Sequence, residues 1–273
     1  MADKIWTGAS SGNWSTTGNW LDGALPGSGD NIYFVADYNV DLTSSLDRTA
    51  VPYDYGNIIV EPGFTGKIGT KTAYLEIRCT GVDFKGSGET YLDVNTSAID
   101  IRVDGTAAAA TGKSGLYLKG SAIDEINVIS GSVGIAAKAG ETTTAATLTV
   151  NGGTVLVGDG CTLTNATVYS GSFTSQASIT TLKNYNGSVT TEESAAVTTL
   201  NLYSGSHTHN GTGTIATANI EGGTLDLFQS GLARTITTLN LNPGGNIVYD
   251  PDLITITTLN ITGGPIEINT NNA

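Results

Sequence analysis

Positive charge is scarce in this sequence. Lys and Arg number 12 against 25 Asp and Glu, for a net charge of −13. Such a surface repels a phosphate backbone, so no nucleic-acid partner is expected, and it disfavours docking on an anionic membrane. Cysteine is nearly absent. Cys79 and Cys161 lie far apart, without metal or redox spacing, and are expected as buried thiols, with a disulfide as the alternative. The 6 prolines beside 36 glycines exclude collagen and Pro-rich linkers. No apolar run reaches the roughly 18 residues of a membrane span. The start, Met1–Trp6, has no apolar leader core, so the chain is expected to stay in a cytosol or to leave by a route other than a cleaved signal. Strong helix formers cluster only at Ala107–Ala110, between Gly105 and Gly112.

What remains is a sequence of Thr, Asn, Ser and Gly punctuated by single Val, Ile and Leu, which are strand and turn residues. A phrase of the form Thr-apolar-Asn-apolar-x-x-Gly recurs. It runs Thr199–Gly205, Thr217–Gly223, Thr238–Gly244 and Thr258–Gly264, with weaker copies at Thr147–Gly153, Asn165–Gly171 and Thr181–Gly187. With Gly131 one step earlier, the aligned glycines stand sixteen to twenty-two residues apart. A unit of about nineteen residues is too short to bury its own core and must stack on its neighbours. Within each unit the hydrophobic period is two, which is a strand, and the glycine then permits a turn with positive φ. A second short strand follows, as in Thr154–Val157, Thr224–Leu227 or Pro265–Ile268. The pattern predicts an all-β, single-chain parallel β-helix over 57–273, with a Trp-rich N-terminal arm or cap over 1–56.

Alternation assigns the faces. Leu200, Leu202, Leu239, Leu241, Leu259 and Ile261 are expected inside one parallel sheet. Thr199 and Asn201 with their equivalents face out, and stacked Asn side chains can hydrogen-bond along the rod. Tyr169, Tyr185 and Tyr203 each follow an inward residue by one position, which predicts an outward aromatic column and a candidate interface.

All three tryptophans, Trp6, Trp14 and Trp20, fall in the first twenty residues. A solenoid end leaves an apolar cross-section open, so they are expected to be buried as a cap or in a subunit contact. Exposed indoles would instead form a sugar platform. The spacing of Trp6, Gly8, Trp14, Asn19, Trp20, Gly23, Pro26, Asp30 and Phe34 resembles the opening of autotransporter-like β-solenoid surface proteins and of β-helical bacteriophage virion proteins. With no translocator barrel, the phage side is favoured. That resemblance implies a capsid decoration (cement) or head-fibre protein, a homotrimer on the virion exterior bound to a major capsid protein and assembled in the host bacterial cytoplasm.

Catalytic patterns are missing. Phosphate loop, serine elbow, zinc spacing and EF-hand loop are all absent. The outward acids Asp93, Asp100, Asp104, Glu192, Glu193, Asp226 and Glu267 scatter over different coils, whereas glycosidase carboxylates sit ~5–10 Å apart. No catalytic residue, cofactor or metal ligand is therefore nominated. His207 and His209 share one strand face, which suits a metal, but they occupy positions filled elsewhere by Val155 and Val157 and are expected as core fillers. Calcium at Asp22 and Asp30, or at Asp250 and Asp252, competes with ordinary solvated turns. Alternatives to the virion protein are a glycan-binding adhesin fibre, an ice-binding face built on the Thr-x-Asn array, and a polysaccharide depolymerase.

Overall fold

The computed structural model describes residues 1–49, 54–95, 99–105, 115–263 and 267–270. The expected features at Ala107–Ala110, Gly264, Pro265 and Ile266 lie outside these residues. One parallel ladder runs from the first strand to the last rung, a second joins it from Leu75, and the solenoid makes about 10 turns.

The first ladder starts with Asp3–Trp6, Asn31–Phe34, Tyr55–Val60, Cys79–Phe84 and Ile99–Asp104. It continues through the latter part of Leu116–Ser130 to Thr143–Val150, Cys161–Val168 and Ile179–Asn184. Val197–Leu202, Ile215–Ile220, Arg234–Leu241 and Ile254–Ile261 complete it. The second ladder starts at Leu75–Ile77 and Thr90–Val94 and passes through Leu116–Leu118 to Ser132–Ile135. It then carries the short strands that follow each repeat glycine, from Thr154–Val157 to Gly245–Tyr249 and Glu267–Thr270.

The register confirms the repeat. Thr181, Thr199, Thr217, Thr238 and Thr258 align, as do Asn201, Asn219, Asn240 and Asn260. The Asn side chains form a directed chain in which each Nδ2 donates to the Oδ1 one coil earlier, at 2.9, 2.7 and 2.8 Å. Leu200, Leu202, Leu239 and Leu241 are buried as expected. Leu259 and Ile261 are not: they stand in register with Leu239 and Leu241 yet are 44% and 50% exposed. They line the last rung of their ladder, so no further coil covers that cross-section among the described residues.

The N-terminal arm also differs from expectation. Parallel pairing does not wait for Asn57 but begins at Asp3. The first coils are longer than the later ones because they carry loops, which hid their register from a search for short repeats. The segment after Trp6 folds back antiparallel along the first strand, with Leu21 N–H donating to Ile5 O at 3.0 Å and a Trp6–Trp20 bridge. This flap holds the tryptophans against the end of the rod. All three indoles are buried. Trp14 meets Trp20 edge-on at 4.8 Å, and Trp6 meets Trp20 at 5.4 Å. The indole N–H of Trp6 donates to Val40 O at 3.0 Å and that of Trp20 to Trp14 O at 2.9 Å, so neither polar atom is stranded in the apolar cap. Buried Asn19 organises the flap, accepting from the amides of Ser10 and Ser11 and donating to Asn13 O.

Candidate functional site

The tyrosines expected outside are outside. Tyr169, Tyr185 and Tyr203 are 47%, 36% and 41% exposed. Each sits where its coil leaves the first ladder, its amide donating 2.8 Å back to the preceding coil. Parallel stacking at the coil repeat therefore lays one ring over the next, at 4.9 Å and 11°, then 4.6 Å and 14°. Asn151 and Glu221 hold the same corner one coil before and one coil after, so the aromatic strip ends in polar residues at both ends. Ser170, Asn186 and Ser204 beside the rings are small and leave the strip unobstructed.

The coil carrying Tyr185 is the shortest in the regular stretch, and its turn is built differently. Asn184 occupies an inward position between Val168 and Leu202 and is fully buried. Its Oδ1 accepts from Gly187 N–H at 2.8 Å, and its Nδ2 donates to Gly187 O at 3.0 Å and Ser206 O at 2.9 Å. The side chain thus clamps the tight turn under the middle tyrosine.

His207 and His209 are buried core residues. His209 Nε2 lies 2.7 Å from Gly213 O, which can only accept, so Nε2 carries the proton. His209 Nδ1 then accepts from Thr191 Oγ1 at 2.5 Å, and that hydroxyl accepts from His207 Nε2 at 2.9 Å. Each shared proton has one place to go, and both rings are neutral. Burial is the first cause of the lowered basicity of both. It takes His207 down to about 3, with His209 adding to the effect. At His209 the buried Arg234 guanidinium also opposes protonation, against the pull of Gly213 O. Among the described residues no group of three or more His, Cys, Asp and Glu is placed to hold a metal.

This buried pair makes stability pH-dependent. Below about pH 6.5 the unfolded chain protonates His207 while the folded chain does not until about pH 3. Stability from this residue is complete above pH 6.5 and declines as pH falls through that window, by about 2 kcal/mol at pH 5. Urea midpoints at pH 7 and pH 5 should show this loss in the wild type and a smaller one in His207→Leu, whose new side chain would sit between Val189 and Leu225. Equal pH dependence in both proteins contradicts the assignment.

Three of the carboxylates weighed for calcium have partners within the chain, and Asp252 is exposed. Asp22 pairs with Lys4, the two oxygens of Asp30 accept from the amides of Ala2 and Gly27, and Asp250 accepts from Asp252 N–H. Cys79 and Cys161 are buried thiols that form no disulfide, each pushed up to about 12 by burial.

A second tyrosine cluster was not visible in the sequence. Tyr91 and Tyr117 stack at 4.7 Å and 6°, and Tyr74 meets Tyr91 edge-on at 5.3 Å. Lys138, on the loop after Ser132–Ile135, reaches back over several coils. Its Nζ lies 4.5, 4.2 and 4.9 Å from the ring centres of Tyr74, Tyr91 and Tyr117 and donates to Tyr74 Oη at 2.9 Å and Lys71 O at 3.1 Å. Tyr74 donates to Glu141 and Tyr91 to Glu89, each at 2.5 Å. Burial first, then these carboxylates, push both phenols up, so they remain donors. Burial lowers Lys138, Glu141 counteracts it, and Lys71 adds to the lowering. Beside this cluster opens a cleft of about 530 Å³.

No family model, curated protein or solved structure matches the chain.

Proposed function

We propose that the chain is a non-enzymatic structural protein of a bacteriophage virion, a decoration protein on the capsid exterior that assembles as a homotrimer and binds a major capsid protein. The observation that carries the reading is the exposed column of Tyr169, Tyr185 and Tyr203 on a rigid rod. Three stacked rings offer an apolar strip of a few hundred Å², about the size at which exposed apolar surface marks an interaction site. Tyrosine suits such a face because its ring packs while its hydroxyl stays hydrogen-bonded. The strip is pre-formed, so little conformational entropy is lost when a partner covers it. The acidic charge suits an exterior that must not bind the packaged genome. The phage setting rests on the resemblance of the stretch from Trp6 to Phe34.

The test is co-sedimentation of purified chain with phage heads lacking it, using the wild type and a triple variant, Tyr169→Ser, Tyr185→Ser and Tyr203→Ser. The inward residues are untouched, so the coil persists and circular dichroism should be unchanged. The wild type should pellet with heads, and the triple variant should lose most of that binding. Equal decoration by the two proteins removes this face from the interface.

A further inference from the structure

We propose that the cleft beside Tyr91 and Tyr117 is a binding site for an acidic saccharide, one whose sugar ring bears a carboxylate. The inference stands apart from the assembly face, which lies on other coils.

The first ground is charge. Four of the chain's 12 basic residues, Lys67, Lys71, Lys119 and Lys138, gather around one cluster in a protein of net charge −13. Lys119 is neutralised by Asp93 at 2.9 Å, and Lys138 is held by the tyrosines. Lys67 and Lys71 are exposed, line the cleft and make no ion pair among the described residues. Two ammonium groups without an ion pair in one lining both gain from an anion held in the cleft.

The second ground is the rest of the lining. Asp41, Glu89, Thr43 and Thr70 share the cleft with those lysines. Carboxylates and hydroxyls accept hydrogen bonds from sugar hydroxyls, which a phosphate group does not offer. The half-buried Tyr117 ring presents apolar surface for a pyranose C–H face. Inorganic phosphate would engage the ammonium groups and leave most of the volume unfilled, while about 530 Å³ falls within the range of small-molecule sites.

The third ground is rigidity. Lys138 and Glu141 cross-link the loop to Tyr74 and to Lys71 O, residues more than sixty positions earlier, so the back of the cleft is fixed before any ligand arrives.

Calorimetric titration of the full chain with trigalacturonate, a neutral trisaccharide and inorganic phosphate tests the site. Trigalacturonate should bind, weaken as salt is raised, and bind more tightly than either comparator. Lys67→Gln with Lys71→Gln should reduce its affinity about tenfold or more, since each lost charge-assisted contact is large. Lys183→Gln, a lysine on the long ladder away from the cleft, should change nothing. Both substituted side chains are exposed, and unchanged thermal unfolding would show that the fold is intact. No binding of trigalacturonate, equal binding of the neutral sugar, phosphate binding as tight, or full affinity in the double variant each overturns the proposal.

Discussion

Replacing Gly205 by Ala should cost the protein about 3–4 kcal/mol, far more than one methyl group on a surface turn would suggest. Gly205 has φ +76°, in the left-handed region that costs an L-residue roughly 1–2 kcal/mol. A Cβ built there would lie 2.5 Å from Gly187 O, 2.9 Å from Asn186 C and 3.0 Å from Gly187 N, backbone atoms that cannot rotate away. The same geometry repeats at Gly153, Gly171 and Gly223, each facing the carbonyl of the preceding repeat glycine, so the coils press on one another at this corner. Gly231→Ala separates the two contributions, because Gly231 has φ +61° but no atom within 4 Å of its would-be Cβ. It should lose only about 1 kcal/mol. Because a solenoid opens coil by coil, amide hydrogen exchange over 187–223 reports the Gly205 loss more faithfully than a single global midpoint. Equal effects at the two positions would show that coil-to-coil contact does not set the glycine corner.

Trp6→Ala should lose about 3–5 kcal/mol and unravel one end of the rod. The indole is fully buried among Trp20 at 5.4 Å and Phe34 at 6.5 Å, and its N–H satisfies Val40 O. Removing it leaves a large cavity at the end of the rod and breaks the bond to Val40 O. The flap from Thr7 to Leu21 is tied to the first strand by only a few backbone bonds. It should detach and expose Phe34 and Tyr55. Protection should fall over the first coils and persist over 143–227, since solenoid units depend mainly on their neighbours. Uniform loss along the chain, or none, would contradict the capping role.

How legible was this in the sequence? The regular coils were, because a two-residue period and a fixed glycine specify register directly: Leu200 and Leu202 went inside, and Thr199, Asn201 and Tyr203 stayed on the outer side. The exceptions have local causes. Asn184 breaks the apolar pattern at an inward position because its coil is short and needs a side chain to close the turn. Thr191, His207 and His209 look like misplaced polar residues until their shared protons are followed. The first coils were hidden because their loops dilute the repeat. The Lys138–tyrosine cluster was invisible for a different reason. Its members are brought together by irregular coils and a returning loop, and no spacing encodes a contact between Lys138 and Tyr74. The exposure of Leu259 and Ile261 follows from what covers the last rung, which alternation alone does not address.

The most direct measurement is the mass of the purified wild-type chain by size-exclusion chromatography with light scattering, run beside the triple tyrosine variant. A self-assembling structural protein with a tyrosine interface should give three times the 28.0 kDa chain mass, and the variant should fall toward 28.0 kDa. A wild type that stays at 28.0 kDa at every concentration, or a variant as trimeric as the wild type, would contradict it.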